Sequence, residues 1–306
     1  MIRSFHNFRD VADSFSSSTE GRIVRGRLFR SATPWLASAA EVDHLSLILG
    51  IRLVIDLRTP TEQRQGDEHG ESGGALAEAC AGSSSSVSSF SSSSHPSCCG
   101  VDGKIRCVRR VRAPLLNEDR FARIMFHRAG FTTKLAMLSV AVGIYQPEDW
   151  AKKIQAVVNG LGLVGMYKVT LEDSADQIGR CLREMITADS LPVLVHCTSG
   201  KDRTGILCAL ILNLCGFSDD DIVEDYHITE RHISKLFASD VIKTVGNFVG
   251  EHMKRAPKSV MYEILAFIRE KHGTIPGYLE EKANFSLQEQ ARLVEMLQST
   301  SACGRL

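Results

Sequence analysis

The stretch His196-Cys197-Thr198-Ser199-Gly200-Lys201-Asp202-Arg203-Thr204-Gly205 decides how this chain is interpreted. It follows a short apolar run, Pro192 to Val195, and precedes a helix-like apolar run, Ile206 to Leu214. A strand that turns into a helix over such a loop points the loop N–H groups and the helix N-terminus at one spot. The sequence therefore predicts an anion cradle with a thiol at its start and a guanidinium at its end.

Cys197 and Arg203 define the chemistry that this cradle predicts. A thiolate is the reactive form of cysteine, and a helix N-terminus beside cations favours it. We expect Cys197 to be largely ionised at neutral pH because the following helix and the cations of Lys201 and Arg203 act on it. Arg203 can hold two phosphoryl oxygens at once with its planar fork. The pair predicts hydrolysis of phosphate esters through a cysteinyl-phosphate intermediate.

The remaining loop residues are predicted to surround the phosphate. Phosphoryl transfer depends mainly on positioning and electrostatics, so a ring of preset donors suits it. Gly200 lets the backbone turn and approach the anion closely. The hydroxyls of Ser199 and Thr204 are candidates to reach the sulfur or the attacking water. The predicted phosphate-binding residues are Thr198, Ser199, Gly200, Lys201, Asp202, Arg203 and Thr204.

The leaving oxygen also needs a proton, and two carboxylic acids are candidates for supplying it. Asp202 lies inside the loop itself. Asp56 lies near the end of a second strand pattern, Ile51 to Leu57, and the carboxyl ends of parallel strands are where α/β sites form. An acid must be within hydrogen-bond reach, and the sequence gives no distances, so both remain candidates.

Composition limits the class of protein. The 306 residues are 43% hydrophobic, which is enough for a sizeable core. Lysine plus arginine equals aspartate plus glutamate at 36 each, so no basic field indicates a nucleic-acid partner. The longest apolar run, Ile206 to Leu212, is too short to span a bilayer. No motif predicts a metal or other cofactor, and the acidic run Asp219 to Asp221 is typical of a first helical turn capped by Ser218.

The cysteines and the first residues of the chain bear on the cellular compartment in which we expect the protein. Residues 1–7 lack the apolar core of a signal peptide. The nine cysteines form no convincing pairs of Cys-x-x-Cys sets, and one of them is the predicted thiolate. These features favour a reducing compartment, and we expect a cytoplasmic protein, with unconventional export left open.

The patterns along the chain predict a single α/β domain over residues 1–306. A helix at Ala39 to Leu49 leads into the strand pattern described above. Residues 66–103 contain a nearly pure serine run and cannot bury enough apolar surface to order, so we expect a flexible surface insertion there. Residues 118–165 have helical spacing, for which core helices and a lid over the loop are alternative interpretations.

The loop sequence resembles that of a known family, the atypical cysteine-dependent tyrosine phosphatases typified by the mycobacterial secreted phosphatase B. The resemblance extends well beyond the loop, although the serine-rich tract departs from the family pattern. The further matching blocks are Asn7 to Asp10, Gly26 to Ala32, Gly50 to Glu62 with its Asp56-Leu57-Arg58, Gly216 to Tyr226, and Gly273 to Leu279.

The resemblance implies a compact α/β phosphatase fold with a central, mainly parallel sheet. It implies a metal-independent phosphoric monoester hydrolase with Cys197 as nucleophile and Arg203 as phosphate binder. Members hydrolyse phosphotyrosine, and some also act on phosphoserine, phosphothreonine or phosphoinositides. The resemblance further implies a helical lid within 118–165, and it matches both Asp202 and Asp56 to residues considered as acids.

Three alternatives stand beside a protein tyrosine phosphatase. Lys201 adds attraction for a second phosphate or an inositol headgroup, which favours a phosphoinositide phosphatase with transient contact to a membrane surface; otherwise Lys201 only pairs with Asp202. A non-enzymatic phospho-binding module would usually lack the cysteine or the arginine. A sulfurtransferase also uses a cysteine in an anion loop, but the Arg203-Thr204 ending argues against it. The physiological substrate and the oligomeric state are not predicted.

Overall fold

The computed structural model describes residues 5–15, 22–33, 39–68, 108–116, 118–128, 147–232 and 254–300. Most of the predicted insertion at 66–103 lies outside these residues, as does 129–146 within the predicted helical segment. The strands are β1 (Arg9–Asp10), β2 (Leu28–Ser31), β3 (Leu53–Asp56), β4 (Arg109–Arg112) and β5 (Val193–His196). The helices are α1 (Ala39–Asp43), α2 (Pro60–Glu68), α3 (Glu118–Arg128), α4 (Pro147–Asp173), α5 (Ala175–Met185), α6 (Asp202–Leu214), α7 (Asp219–Ile228), α8 (Lys258–His272), α9 (Ile275–Glu281) and α10 (Leu287–Gln298).

The strands form one mixed sheet in the order β1-β2-β5-β3-β4. The four strands β2, β5, β3 and β4 are parallel, and β1 adds an antiparallel edge. The register aligns Ser31, Asp56 and His196 across three neighbouring strands, so their carboxyl ends meet at one edge of the sheet. The predicted α/β fold with a mainly parallel sheet is confirmed.

The strand side chains alternate between two cores, one on each face of the sheet. The larger core takes Leu53, Ile55, Val193 and Val195, together with the apolar side of α6. The smaller core takes Phe29, Val54 and Leu194 among others. Because both faces are covered, β5 is buried along its whole length and is apolar up to its last residue, His196, as a central parallel strand requires.

Helix α6 begins at Asp202, within the stretch His196 to Gly205, and packs against α4, α7 and α9. Its side chains from Thr204 to Leu212 are buried, which holds the start of the helix in place. Helices α7 and α10 begin with capping boxes at Ser218 and Ser286, and Ser218 is the cap that the sequence predicts. The acidic residues at the start of α7 therefore serve the helix terminus, as predicted.

Several local details differ from the sequence patterns. The helix predicted for Ala39 to Leu49 is α-helical only through Asp43 and continues as a π-helix over His44–Ile48. Helix α4 breaks at Gly162, where φ is +63°, a value that glycine tolerates and other residues avoid. Among the described residues, no helix is long and apolar enough to cross a membrane.

Candidate active site

The loop after β5 is held from its outer side by the N-terminal part of the chain. Thr33 donates to the carbonyls of Cys197 (2.7 Å) and Thr198 (3.1 Å). The Asn7 amide donates to the carbonyls of Ser199 (3.3 Å) and Gly200 (3.0 Å). Across a trans peptide the carbonyl and the next N–H point in opposite directions. With these four carbonyls held outward, the N–H groups that follow them face the inner side of the loop.

Gly200 makes the closest backbone approach in this arrangement. Its φ is +66°, and a Cβ atom built there would lie 2.3 Å from the Ser31 carbonyl oxygen. Only glycine fits that space and that backbone conformation. The loop is therefore pressed against the end of β2, which fixes its shape.

A buried ion network reinforces the same contact. Arg30, which is fully buried, donates to the Gly200 carbonyl at 2.9 Å and pairs with Asp225 of α7. Arg9 also pairs with Asp225, at 3.2 Å. Burial alone would raise the pKa of Asp225, but Arg30 and Arg9 outweigh that effect and lower it. Asp225 therefore stays ionised and keeps Arg30 on the loop.

Arg203 projects from the first turn of α6 and meets Glu62 of α2. Its Nη1 donates to Glu62 Oε2 and its Nη2 to Glu62 Oε1, each at 2.6 Å. The Thr198 hydroxyl donates to Glu62 Oε1 at 2.5 Å. Burial would raise the pKa of Glu62, but the Arg203 charge and these hydrogen bonds lower it to about 2. Glu62 thus joins two residues that the sequence predicts as phosphate ligands.

Cys197 lies at the end of β5 and is 1% exposed. It opens the loop whose outer carbonyls are held as described, and Arg203 closes it. The Thr204 hydroxyl, predicted to reach the sulfur or the water, is buried and has no hydrogen-bond partner among the described residues. The structure therefore brings the predicted thiol and guanidinium to the two ends of one rigid loop.

Asp56 lies at the same edge of the sheet but is enclosed by cations. Arg58 donates to both of its oxygens, at 3.0 and 2.9 Å, and Arg110 donates to Oδ2 at 2.5 Å. The carboxylate is fully buried. Burial would raise its pKa, yet neighbouring His196, Arg58 and Arg110 hold it well below its usual range. A carboxylate in this setting keeps its negative charge and binds arginines.

Asp202 has a different setting, at the first position of α6. Its side chain is 36% exposed, and its Oδ1 accepts a hydrogen bond from the Tyr167 hydroxyl at 2.7 Å. Lys201 places its ammonium 3.2 Å from the same oxygen and also donates to the Arg255 carbonyl at 3.0 Å. The Lys201 side chain is only 3% exposed. Its charge is directed toward Asp202 and the backbone rather than toward solvent.

Sequence reasoning missed two residues that complete the site, Glu62 and Tyr167. A signal for Glu62 was present, since Thr59-x-x-Glu62 has the capping-box pattern, and both capping bonds form at the start of α2. Its contact with Arg203 spans 141 positions in sequence, which no local pattern shows. Nothing in the sequence around Tyr167 distinguishes it from an ordinary buried tyrosine.

This fold and loop define a cysteine-phosphatase class of site, and comparison with known proteins agrees. A family model described as the tyrosine phosphatase family matches residues 1–299, and the chain belongs to that family. A Cupriavidus necator protein, provisionally named a tyrosine-protein phosphatase, is 25% identical over 220 residues. That match covers 72% of this chain and 59% of the relative.

Two shorter matches are also to proteins that are named as phosphatases. The triple specificity protein phosphatase PtpB of Mycobacterium tuberculosis is 32% identical over 119 residues, 33% of this chain and 43% of the relative. A tyrosine-protein phosphatase of Nostoc commune is 36% identical over 85 residues, 28% of each chain. The chain thus spans 59% or less of the curated relatives it matches.

Proposed function

We propose that this chain is a metal-independent protein tyrosine phosphatase that hydrolyses phosphotyrosine through a cysteinyl-phosphate intermediate. The observation that carries the proposal is the loop from Cys197 to Arg203, whose outer carbonyls are held by Thr33, Asn7 and Arg30. Such a preset ring of inward donors is what a transferring phosphoryl group requires. Family membership and the names of the relatives support the same activity.

The proposed reaction has two displacements at phosphorus. The Cys197 thiolate forms an S–P bond while the bond from phosphorus to the tyrosyl oxygen breaks, and that oxygen leaves with the electron pair and takes a proton from Asp202. Water then attacks the cysteinyl phosphate, its proton goes to Asp202, and the S–P bond breaks to return the thiolate. Arg203 and the loop N–H groups bind the phosphoryl oxygens in both steps.

We assign the general acid to Asp202 rather than Asp56. Asp202 directly precedes Arg203, at the first position of α6. Its side chain is partly exposed, so a substrate oxygen can approach it. Asp56 is buried between Arg58 and Arg110 and holds no proton to donate. In this proposal Asp56 instead orders the carboxyl end of β3 beside the loop.

A protein substrate is favoured over a phosphoinositide. The phosphoinositide alternative rests on attraction between Lys201 and a second phosphate or an inositol headgroup, but the Lys201 ammonium lies against Asp202 and the Arg255 carbonyl. The relatives are named as protein phosphatases, and one of them as a triple specificity enzyme. We therefore propose phosphotyrosine proteins as the main substrate, with phosphoserine and phosphothreonine as secondary ones. A thiolate enzyme of this kind suits the reducing cytoplasm, where we propose that it acts.

The proposal is tested by initial-rate phosphate release in the presence of a metal chelator. A phosphotyrosine peptide and a phosphatidylinositol monophosphate are compared side by side, with Cys197→Ser as control. We expect turnover of the peptide, background rates on the lipid, and no turnover by Cys197→Ser with an unchanged circular dichroism spectrum. Unchanged activity of that variant would refute the mechanism. Lipid turnover as fast as peptide turnover would refute the substrate assignment, and tight peptide binding without turnover would point to a binding module.

A further inference from the structure

A chain of buried hydroxyls ends on the proposed general acid. The hydroxyl oxygens of Tyr226 on α7 and Tyr167 on α4 lie 2.9 Å apart. The Tyr167 hydroxyl donates to Asp202 Oδ1 across 2.7 Å. A phenol has one proton to donate, so Tyr167 must accept its other hydrogen bond from Tyr226. The hydrogen bonds therefore run in one direction, from Tyr226 through Tyr167 to Asp202.

Both tyrosines are fixed by their surroundings. Each is 1% exposed, and their rings meet edge to face with centroids 6.2 Å apart. Gly205 on α6 lies so close to the Tyr226 ring that a Cβ atom there would be 3.1 Å from it. Burial raises the pKa of Tyr167 and of Tyr226 above the ordinary value. Both phenols therefore remain neutral donors over the pH range in which the enzyme would work.

The two carboxyl oxygens of Asp202 differ in their hydrogen-bond partners. Oδ1 receives the Tyr167 hydroxyl and faces the Lys201 ammonium at 3.2 Å. Within the described part of the chain, no hydrogen bond reaches Oδ2. An oxygen that already accepts two donors is the carbonyl oxygen of a protonated carboxyl group, so the acidic proton belongs on Oδ2. The Asp202 side chain is 36% exposed, which leaves room for a substrate to approach it.

Helix α7 supports the middle and the end of the loop through two consecutive residues. Asp225 holds Arg30, which donates to the Gly200 carbonyl in the middle of the loop. Tyr226 holds Tyr167, which donates to Asp202 at the end of the loop. The same helix thus orders the phosphate-binding backbone and the acid.

We propose that Tyr167 is a positioning residue that holds Asp202 with its Oδ2 proton directed at the leaving oxygen, and that Tyr226 supports Tyr167 in that role. The inference rests on the proposed function, because it assumes that Asp202 is the general acid. It predicts that the loss of one hydroxyl impairs protonation of the leaving group and leaves nucleophilic attack intact.

The test compares two aryl phosphates that differ in their need for an acid. Phenyl phosphate has a poor leaving group that requires protonation, whereas p-nitrophenyl phosphate has a good one that hardly does. For Tyr167→Phe we expect kcat/KM, which reports only the steps up to departure of the leaving group, to fall by about 10- to 50-fold on phenyl phosphate and by less than about 3-fold on p-nitrophenyl phosphate. Asp202→Asn should show the same selectivity more strongly, and the double variant should be no slower than Asp202→Asn alone.

Tyr278→Phe is the matched control. Tyr278 is also buried, and its hydroxyl donates at 2.7 Å to the Leu171 carbonyl of the same helix α4, away from the loop. It should leave both rates within about 2-fold of the parent, because it loses one buried hydrogen bond without touching the acid. If Tyr167→Phe melts too early to assay, Tyr226→Phe tests the same chain and should show a smaller selective loss.

The outcomes separate this inference from the proposed function. If Asp202→Asn loses phenyl phosphate turnover selectively and Tyr167→Phe does not, the acid stands and the positioning role is overturned. Equal losses by Tyr167→Phe on both substrates would show a merely structural role and overturn it as well. If Asp202→Asn shows no selectivity, Asp202 is not the acid and the inference falls with it.

Discussion

Glu62 and Arg203 form a fork-to-fork ion pair, with two parallel hydrogen bonds of 2.6 Å between the carboxylate and the guanidinium. The pair fixes the plane of the guanidinium through both of its terminal nitrogens. Nη1 also donates to the Leu57 carbonyl and Nη2 to the Thr198 hydroxyl, each at 3.3 Å. Arg203 therefore has its orientation set before any phosphate arrives, which is the condition for electrostatic preorganisation.

Removal of the Glu62 carboxylate should impair both stability and catalysis. Glu62→Ala leaves Arg203 half-buried without its partner, and we expect a loss of roughly 1–3 kcal/mol in unfolding free energy. We also expect kcat/KM on a phosphotyrosine peptide to fall by about 10-fold or more, since the guanidinium loses its fixed plane. Glu62→Gln keeps the size of the side chain and should lie between the parent and the alanine variant. Urea unfolding and steady-state kinetics measure the two effects.

Glu289 provides a matched control for Glu62. It also closes a capping box, with Ser286 at the start of α10, and it also pairs with an arginine, Arg183 at 3.1 Å. That pair is more exposed than the Glu62–Arg203 pair and lies away from the Cys197–Arg203 loop. Glu289→Ala should cost about 1 kcal/mol of stability through the cap and leave kcat/KM unchanged. Equal kinetic losses in the two variants would contradict the role given to Glu62.

Alanine substitutions at Gly200 and Gly216 should distinguish the effect of a close backbone contact from the effect of a positive φ alone. Both have positive φ, at +66° and +79°. A Cβ atom at Gly200 would meet the Ser31 carbonyl at 2.3 Å, whereas one at Gly216 would have nothing within 4 Å. Gly216→Ala should therefore cost only about 1–2 kcal/mol from backbone strain and keep full activity. Gly200→Ala should abolish turnover and lower the melting temperature further, because the Ser31 backbone must move. Thermal melts and rates that rank the two variants equally would disprove this.

The sequence predicts the central part of this molecule well because its signals are local. An apolar run, a glycine-containing loop and a helical apolar run place β5, the loop and α6 in order, and the Ser218 cap marks the start of α7. The supporting contacts are not local. Tyr167 meets Asp202 across 35 positions, and Asn7 meets Gly200 across 193. Such pairs depend on how the helices pack on the sheet, which residue spacing does not encode.

Asp56 is a second case in which the sequence predicts the position of a residue but not all of its contacts. Its place at the carboxyl end of β3 is readable from the strand pattern, and that place made it a candidate acid. Its neighbours Arg58 and Arg110 decide its chemistry, and the second of these comes from β4, a strand distant in sequence. Only the register between β3 and β4 shows that Arg110 joins Arg58 at this carboxylate.

His196 should make the fold acid-sensitive. Burial lowers its pKa from 6.5 to about 4, against the opposing pull of Asp56. Below pH 6.5 the unfolded chain therefore binds a proton that the folded chain does not, so stability is full above this pH and falls as pH drops toward 4. We expect a loss on the order of 2 kcal/mol between pH 7 and pH 5, measured by urea unfolding.

His196→Gln isolates this effect. Glutamine does not titrate, so the difference in stability between pH 7 and pH 5 should shrink in the variant, whatever its absolute stability. Glu62 does not interfere, because its stabilising charge is lost only as pH falls from 4.5 toward about 2. A parent and a variant with the same pH dependence in this window would show that His196 is not the sensitive group.

Cys197 should be the first of the described cysteines to react with peroxide. Burial raises the pKa of Cys208 to about 11 and of Cys181 and Cys215 to about 12, so these three remain thiols at neutral pH. Cys197 is the proposed nucleophile, and nucleophilic cysteines oxidise to sulfenic acid readily. We expect mild peroxide to abolish activity, a thiol reductant to restore it, and a sulfenic-acid probe to label the Cys197 peptide.

Saturating inorganic phosphate should slow the labelling because it occupies the same loop, and Cys208→Ser should behave like the parent. Persistent full activity after peroxide, or first labelling at Cys208, would mean that the loop does not hold a reactive thiolate.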